Sequence, residues 1–212
     1  MKSSRKIVFY HSPNSRSAGV LMLLEELGAP YELHVINLKT GEQRSPQYTA
    51  INPMGKVPAV TCDGELVTEQ PAVFIYLADL FPEAGLAPAV DDSLRGPYLR
   101  WLAFYGSSFE PAVVDKAQKR EPTPRNMSPY GDYDTMLGTL TQQLAKGPYL
   151  LGTRFTAAEI LWGAALTAMT KFGLVPELPV IKNYIDRVNA RPAVIRARAK
   201  DAELAAKQEA AK

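Results

Sequence analysis

Cysteine is almost missing from this chain, with Cys62 the sole one among 212 residues. One thiol makes no internal disulfide, no thiolate metal cluster and no dithiol redox pair. The two histidines add little, so no resident metal is expected. A dominant charge is missing too. Lys and Arg outnumber Asp and Glu by enough to leave a formal net charge of +2, too weak a field to gather nucleic acid or an anionic membrane nonspecifically. Long apolar runs are also absent. No stretch reaches the roughly 20 residues of a membrane span, and the opening MKSSRKIVFYH holds too brief an apolar segment for a secretory signal. These gaps point to small ligands as partners and to the cytoplasm as compartment.

What is present is ordinary for a globular protein: 46% hydrophobic and 22% charged residues, enough to fold. The length suits two domains, each burying its own core. Lys6 to Tyr10 reads as a buried strand, 15–27 as an amphipathic helix ended by Gly28 and Pro30, and Tyr31 to Ile36 as a second strand by its alternation. That is a βαβ unit. SPQY starts a short helix with Ser45 as its cap. Ala59 to Thr61 and Glu65 to Val67 flank a hairpin turn at Asp63-Gly64, and Pro71 opens a helix through Leu80. The order is βαβαββα. FPEAGLAPAVDD, 81–92, carries no periodicity and reads as a linker. Helices are expected beyond it near 93–119, 129–145, 157–171, 179–190 and 193–208. The tail DAELAAKQEAAK has helix propensity but little to bury, which predicts fraying.

Four ordered stretches, YHSPNSRSAGVLMLLEELG, NPMGKVPAV, LVTEQPAVFIYLAD and FTAAEILWG, make the chain resemble bacterial cytosolic glutathione transferases over nearly its whole length. The resemblance implies an α/β thioredoxin-like domain with a mixed four-stranded sheet over 1–82. It also implies an all-helical domain over 93–212 and assembly as a homodimer. Glutathione is the implied cosubstrate. In the family the bond Val57-Pro58 is cis, so that the Val57 backbone pairs with the ligand like an added strand. Glu69 and Gln70, just before a helix N-terminus, suit the γ-glutamyl zwitterion, and Lys56 resembles the position that meets the glycyl carboxylate.

Such chemistry needs a thiolate. A free thiol with a pKa near 8.5 stays mostly protonated at neutral pH, and lowering it by about two units takes roughly 2.7 kcal/mol of preferential stabilisation by directed donors. The turn after the first strand offers Tyr10, Ser12, Asn14 and Ser15. Ser12 matches the catalytic serine of theta-like members and Tyr10 the catalytic tyrosine of pi-like ones; both stay open, with Asn14 as a supporting donor. Ser15 reads as a helix cap. The beta class places its cysteine where this chain has Arg16, which excludes mixed-disulfide chemistry there. His11 reads as a structural histidine, because a donor matters more than a base, and Cys62 as a small buried hydrophobe. Thr156 with Glu159 fits a capping box.

A hydrophobic electrophile is expected against Trp101, Phe104, Tyr105 and Ser108, although an aromatic stripe at helical spacing equally describes a core. The leading reading is a glutathione S-transferase in detoxification, with thiolate attack on an electrophilic carbon. Glutathione-dependent disulfide or peroxide reduction or dehalogenation is the enzymatic alternative, and a non-catalytic interaction module the other.

Overall fold

A computed structural model of the chain describes residues 5–210. Residues 1–4 and 211–212, which hold the outer ends of both expected domains and the last two residues of the tail, lie outside that range. The chain forms two compact units: one takes the chain up to Gly85 and again from Ala190 on, the other spans Leu86–Asn189.

The first unit is built on a four-stranded sheet of order β2-β1-β3-β4, with β1 (Ile7–His11), β2 (Glu32–Val35), β3 (Ala59–Cys62) and β4 (Glu65–Val67). β1 and β2 run parallel, joined by α1 (Ser17–Leu27), while β3 runs antiparallel to both β1 and β4. The expected mixed thioredoxin-like sheet is therefore present. α1 buries Val20, Leu21, Leu23 and Leu24. It stops where Gly28 turns left-handed at φ 60° and donates its N–H to the Leu24 carbonyl. The short α2 (Pro46–Thr49) is capped by the Ser45 hydroxyl, and α3 (Gln70–Leu80) adds Val73, Phe74 and Leu77 to the same core as Phe9 and Val60.

The expected boundary fails at the C-terminal end. α9 (Pro192–Ala210) packs against α1 instead of fraying, and residues after Asn189 belong with the α/β unit. Ala193, Val194 and Ala197 make the buried stripe. Small side chains let the two helices approach closely, so the tail needs no large hydrophobes to dock. Polar contacts finish the seam: Arg191 Nε donates to Glu26 at 2.9 Å, and Lys200 Nζ donates to the Tyr31 hydroxyl at 2.7 Å.

The second unit is helical: α4 (Arg95–Phe104), α5 (Glu110–Ala117), α6 (Tyr133–Leu144), α7 (Ala157–Lys171) and α8 (Pro179–Asn189). One long helix was expected over 93–119; instead a π turn at Tyr105–Phe109 separates α4 from α5. Pro111 gives the reason, since it has no N–H to continue the ladder and its ring crowds the preceding turn. Trp162 on α7 sits at the centre, its ring 4.9 Å from Phe109 and its Nε1 donating to the Trp101 carbonyl at 3.0 Å. Among the described residues no helix is long and apolar enough to cross a membrane, and no group of three or more His, Cys, Asp and Glu is placed to hold a metal ion.

The capping box forms. Glu159 is fully buried and accepts from Thr156 N–H at 2.7 Å and from Leu150 N–H at 3.0 Å. Burial outweighs those donors and pushes its carboxyl up to about 7. A carboxyl whose folded pKa is raised contributes stability that is fully present below the unfolded value and lost as pH rises through about 7. Chemical denaturation of Glu159→Gln against the parent should therefore show a penalty largest near pH 4.5 and shrinking toward neutrality. A penalty independent of pH would mean that Glu159 titrates normally. Gly163 on α7 faces the buried Val188, whose Cγ1 would lie 2.5 Å from an added Cβ. Overpacking of this kind costs about 1–3 kcal/mol, so Gly163→Ala should lower the denaturation midpoint without changing the slope.

Candidate functional site

A cleft of about 410 Å³ opens in the α/β unit where the turn after β1 meets the loop before β3. Asn14, Ser15 and Arg16 form one wall, Gly55, Lys56 and Val57 another, and Gln43 and Arg44 a third. Three of these carry positive charge and none is acidic, which suits a ligand bearing carboxylates.

Local rules build the second wall. Gly55 holds φ 58°, and a Cβ there would sit 2.8 Å from the Gln43 carbonyl, so no side chain fits. The Lys56 carbonyl accepts from the Tyr48 hydroxyl at 2.6 Å and from Asn52 Nδ2 at 2.9 Å. Two donors fix the peptide just ahead of Val57-Pro58, which is cis as expected. Lys56 is exposed and Val57 half-buried at the cleft edge. Tyr48 and Asn52 are the support that sequence reasoning missed; an aromatic and an amide in a short polar helix and its exit turn carry no distinguishing pattern. Gln43 Oε1 is shielded from solvent and has no hydrogen-bond partner among the described residues, another cleft group without a sequence signal.

Glu69 and Gln70 stand at the N-terminus of α3. Gln70 Nε2 donates to the Arg16 carbonyl at 2.9 Å, tying that helix end to the turn after β1. Glu69 is exposed and adopts φ 61°, ψ 114°, a left-handed conformation that strains a residue with a Cβ.

The turn after β1 distributes its hydroxyls differently from expectation. Tyr10 faces away from the buried side of β1, its ring 5.3 Å from His34 and 5.6 Å from Tyr48, and it is not part of the cleft wall. Ser12 is 2% exposed and also off the wall; its backbone works instead, the N–H donating to Ser17 Oγ at 3.0 Å and the carbonyl accepting from Ser15 Oγ at 2.7 Å. The wall position falls to Ser15, beside Asn14, which holds φ 56° as asparagine tolerates. α1 starts at Ser17 with Arg16 before it, so Ser15 is not the helix cap it was read as, though its Oγ accepts from Ser17 N–H at 3.2 Å.

Behind Ser15 lies a buried polar chain. Ser15 Oγ is 2.7 Å from Ser17 Oγ, which is 2.7 Å from His11 Nδ1. His11 is fully buried, and its Nε2 lies 3.0 Å from Asp201 Oδ1 on α9. The two atoms face each other without forming an aligned hydrogen bond. Asp201 Oδ2 accepts from Asn14 N–H at 3.1 Å.

Of the four expected electrophile contacts, Trp101 and Tyr105 are 1% and 3% exposed and pack on Trp162 in the helical core. The Tyr105 hydroxyl is spent on Glu110 at 2.5 Å. The stripe is largely core, and Phe104 and Ser108 alone of the four keep partly exposed side chains.

Residues 11–80 match the family model of the glutathione S-transferase N-terminal domain. The chain is 30% identical to a glutathione S-transferase-like protein of Aspergillus terreus, gedE, covering 82% of this chain and 86% of that one. It is 25% identical to the disulfide-bond oxidoreductase YfcG of Escherichia coli over 88% and 92% of the two chains. A solved sphingomonad glutathione S-transferase complexed with glutathione superposes with a TM-score of 0.75 at 30% identity, covering 92% of this chain and 98% of that one.

The strain at Glu69 is open to test by itself. Replacing Glu69 with glycine should raise thermal stability by up to about 1 kcal/mol, because glycine lacks the Cβ that makes a positive φ costly and this relief outweighs its greater freedom in the unfolded chain. A lower melting temperature would instead assign the side chain a stabilising contact.

Proposed function

The chain belongs to the glutathione S-transferase family, and from that premise we propose that it binds glutathione in the cleft of its α/β unit and activates the thiol as thiolate for transfer to a second substrate. The observation that carries this reading is the juxtaposition, on one cleft, of Val57 beside cis-Pro58 with the hydroxyl of Ser15 at the start of α1. An extended tripeptide lying along Val57 would pair with its backbone just ahead of β3, in the manner by which strands are added to exposed backbone. Lys56, Arg44 and Arg16 would meet its carboxylates, while Glu69 at the head of α3 would take the ammonium, with Gln70 holding that helix end against the turn.

At the sulfur, Ser15 and Asn14 are the proposed donors, and Ser12 contributes through its backbone. Tyr10 is the weaker assignment because its ring packs against Tyr48 and His34. A hydrophobic electrophile remains the proposed second substrate, with Phe104 and Ser108 as its contacts. A second copy of the chain is the proposed partner and the cytoplasm the proposed compartment, both on family grounds. One observation favours a second reading, glutathione-dependent disulfide reduction: the relative named as a disulfide-bond oxidoreductase spans nearly the whole chain. Both readings need the same thiolate.

Calorimetric titration with glutathione tests the shared step. Saturable binding of one ligand per chain, with a thiolate absorbance that Ser15→Ala reduces and Ser12→Ala leaves in place, is the expected result. No heat up to millimolar ligand would make the chain a non-catalytic interaction module.

A further inference from the structure

The turn after β1 holds more chemistry than thiolate donation requires. A donor for sulfur needs one hydroxyl; here that hydroxyl heads a line of three groups ending in a buried imidazole faced by a carboxylate. Burying an ionisable ring costs free energy unless it is paired, and the carboxylate comes from the far end of the sequence. Every rotor along the line is held by backbone: Ser12 N–H donates to Ser17 Oγ, Ser17 N–H donates to Ser15 Oγ, and Asn14 N–H holds Asp201. The Ser12 carbonyl lies 2.7 Å from Ser15 Oγ and 3.0 Å from Ser17 Oγ, a second acceptor to which either hydroxyl can turn.

We propose that Ser15, Ser17 and His11, with Asp201 behind them, form a proton relay that accepts the glutathione thiol proton, making His11 the internal base of the site. The proposal rests on the glutathione reading above. In the starting state neutral His11 carries its proton on Nε2, facing Asp201; Ser17 donates to Nδ1, and Ser15 donates to Ser17. When the thiol is presented to Ser15, the S–H bond breaks and its electron pair stays on sulfur. Ser15 Oγ takes that proton and passes its own to Ser17 Oγ, and Ser17 passes its own to Nδ1. One proton leaves sulfur and one N–H bond forms. The end state is an imidazolium beside the Asp201 carboxylate, with Ser15 now donating toward the thiolate and Ser17 donating toward Ser15. The shift thus removes the proton and reorients the donor in one movement.

Asp201 on α9 faces the imidazole from one side; α1 offers Ser17, and β1 offers the Phe9 ring with its centroid 5.3 Å away. Ser15 would touch the substrate, whereas Ser17 and Asp201 act through their neighbours as positioning residues.

The test measures where the proton goes. Glutathione binding to the unaltered protein is followed by thiolate absorbance and by calorimetry in buffers of differing ionisation heat, with S-methylglutathione as a ligand that has no thiol proton. The expected result is thiolate formation with well under one proton released to buffer per thiolate. His11→Gln and Asp201→Asn should still bind S-methylglutathione but lose most of the neutral-pH thiolate signal, which falls toward the few per cent ionised that a thiol with a pKa near 8.5 shows at neutral pH. A full proton released per thiolate by the unaltered protein overturns the relay even if the variants fail to fold. So does a His11→Gln protein that binds S-methylglutathione and keeps the parent's thiolate absorbance. Absence of any heat with S-methylglutathione on the unaltered protein would instead sink the glutathione reading.

Discussion

The contact between the first helix and the last is the constraint on which the site depends. α9 brings Asp201 to the turn after β1, where one carboxylate oxygen faces the buried His11 and the other holds the Asn14 backbone. Without that carboxylate the imidazole would sit in the interior with no charge partner, and the turn would lose a fixed point of attachment. The seam itself is held by Ala and Val side chains at close range, flanked by Arg191 with Glu26 and Lys200 with Tyr31. Packing and polar pairing thus act on the same few residues, and the cleft wall inherits its geometry from both.

The opposite wall is made rigid by different means. Tyr48 and Asn52 both donate to the Lys56 carbonyl, Gly55 passes so near Gln43 that a Cβ is barred, and Glu69 is kept in a conformation that most residues avoid. Each device spends local freedom before any ligand arrives, so little ordering remains to be paid on binding. The cationic side chains of the cleft are therefore carried by a backbone that is already fixed, although the side chains themselves reach into solvent.

Local signals account for what was legible in the sequence. The βαβαββα order follows from alternation, from turn residues such as Asp63-Gly64 and Gly28, and from the Ser45 cap, and Thr156 marks the start of α7 in the same way; all of these act within a few residues. Asp201 could not be found that way: its hydrogen bond to Asn14 spans 187 positions, and its helix shows a stripe of alanines that periodicity reads as unremarkable propensity. The aromatic stripe around Trp101 illustrates the converse. Helical spacing of large rings fits a core and a pocket equally well, and only the position of Trp162 on another helix decides between them. The break at Pro111 was missed, since one helix was expected over 93–119, although the missing N–H of a proline inside a helix is a local signal that pointed to it. Among the serines, residue type alone does not tell which hydroxyl faces the cleft; the local path of the backbone from β1 into α1 settles that Ser15 does and Ser12 does not.

Because the α/β unit is assembled from both the first 85 residues and those from Ala190 on, its folding cannot be completed from the N-terminus alone. Domains generally form as units while synthesis proceeds, yet here a nascent chain must hold an open sheet and an uncovered α1 face until α9 has been made. The intervening helical unit is contiguous and is free to form first. A chain lacking α9 would therefore leave the α1 face uncovered and the buried His11 without Asp201, so the candidate site and the fold of the α/β unit are completed by the same helix.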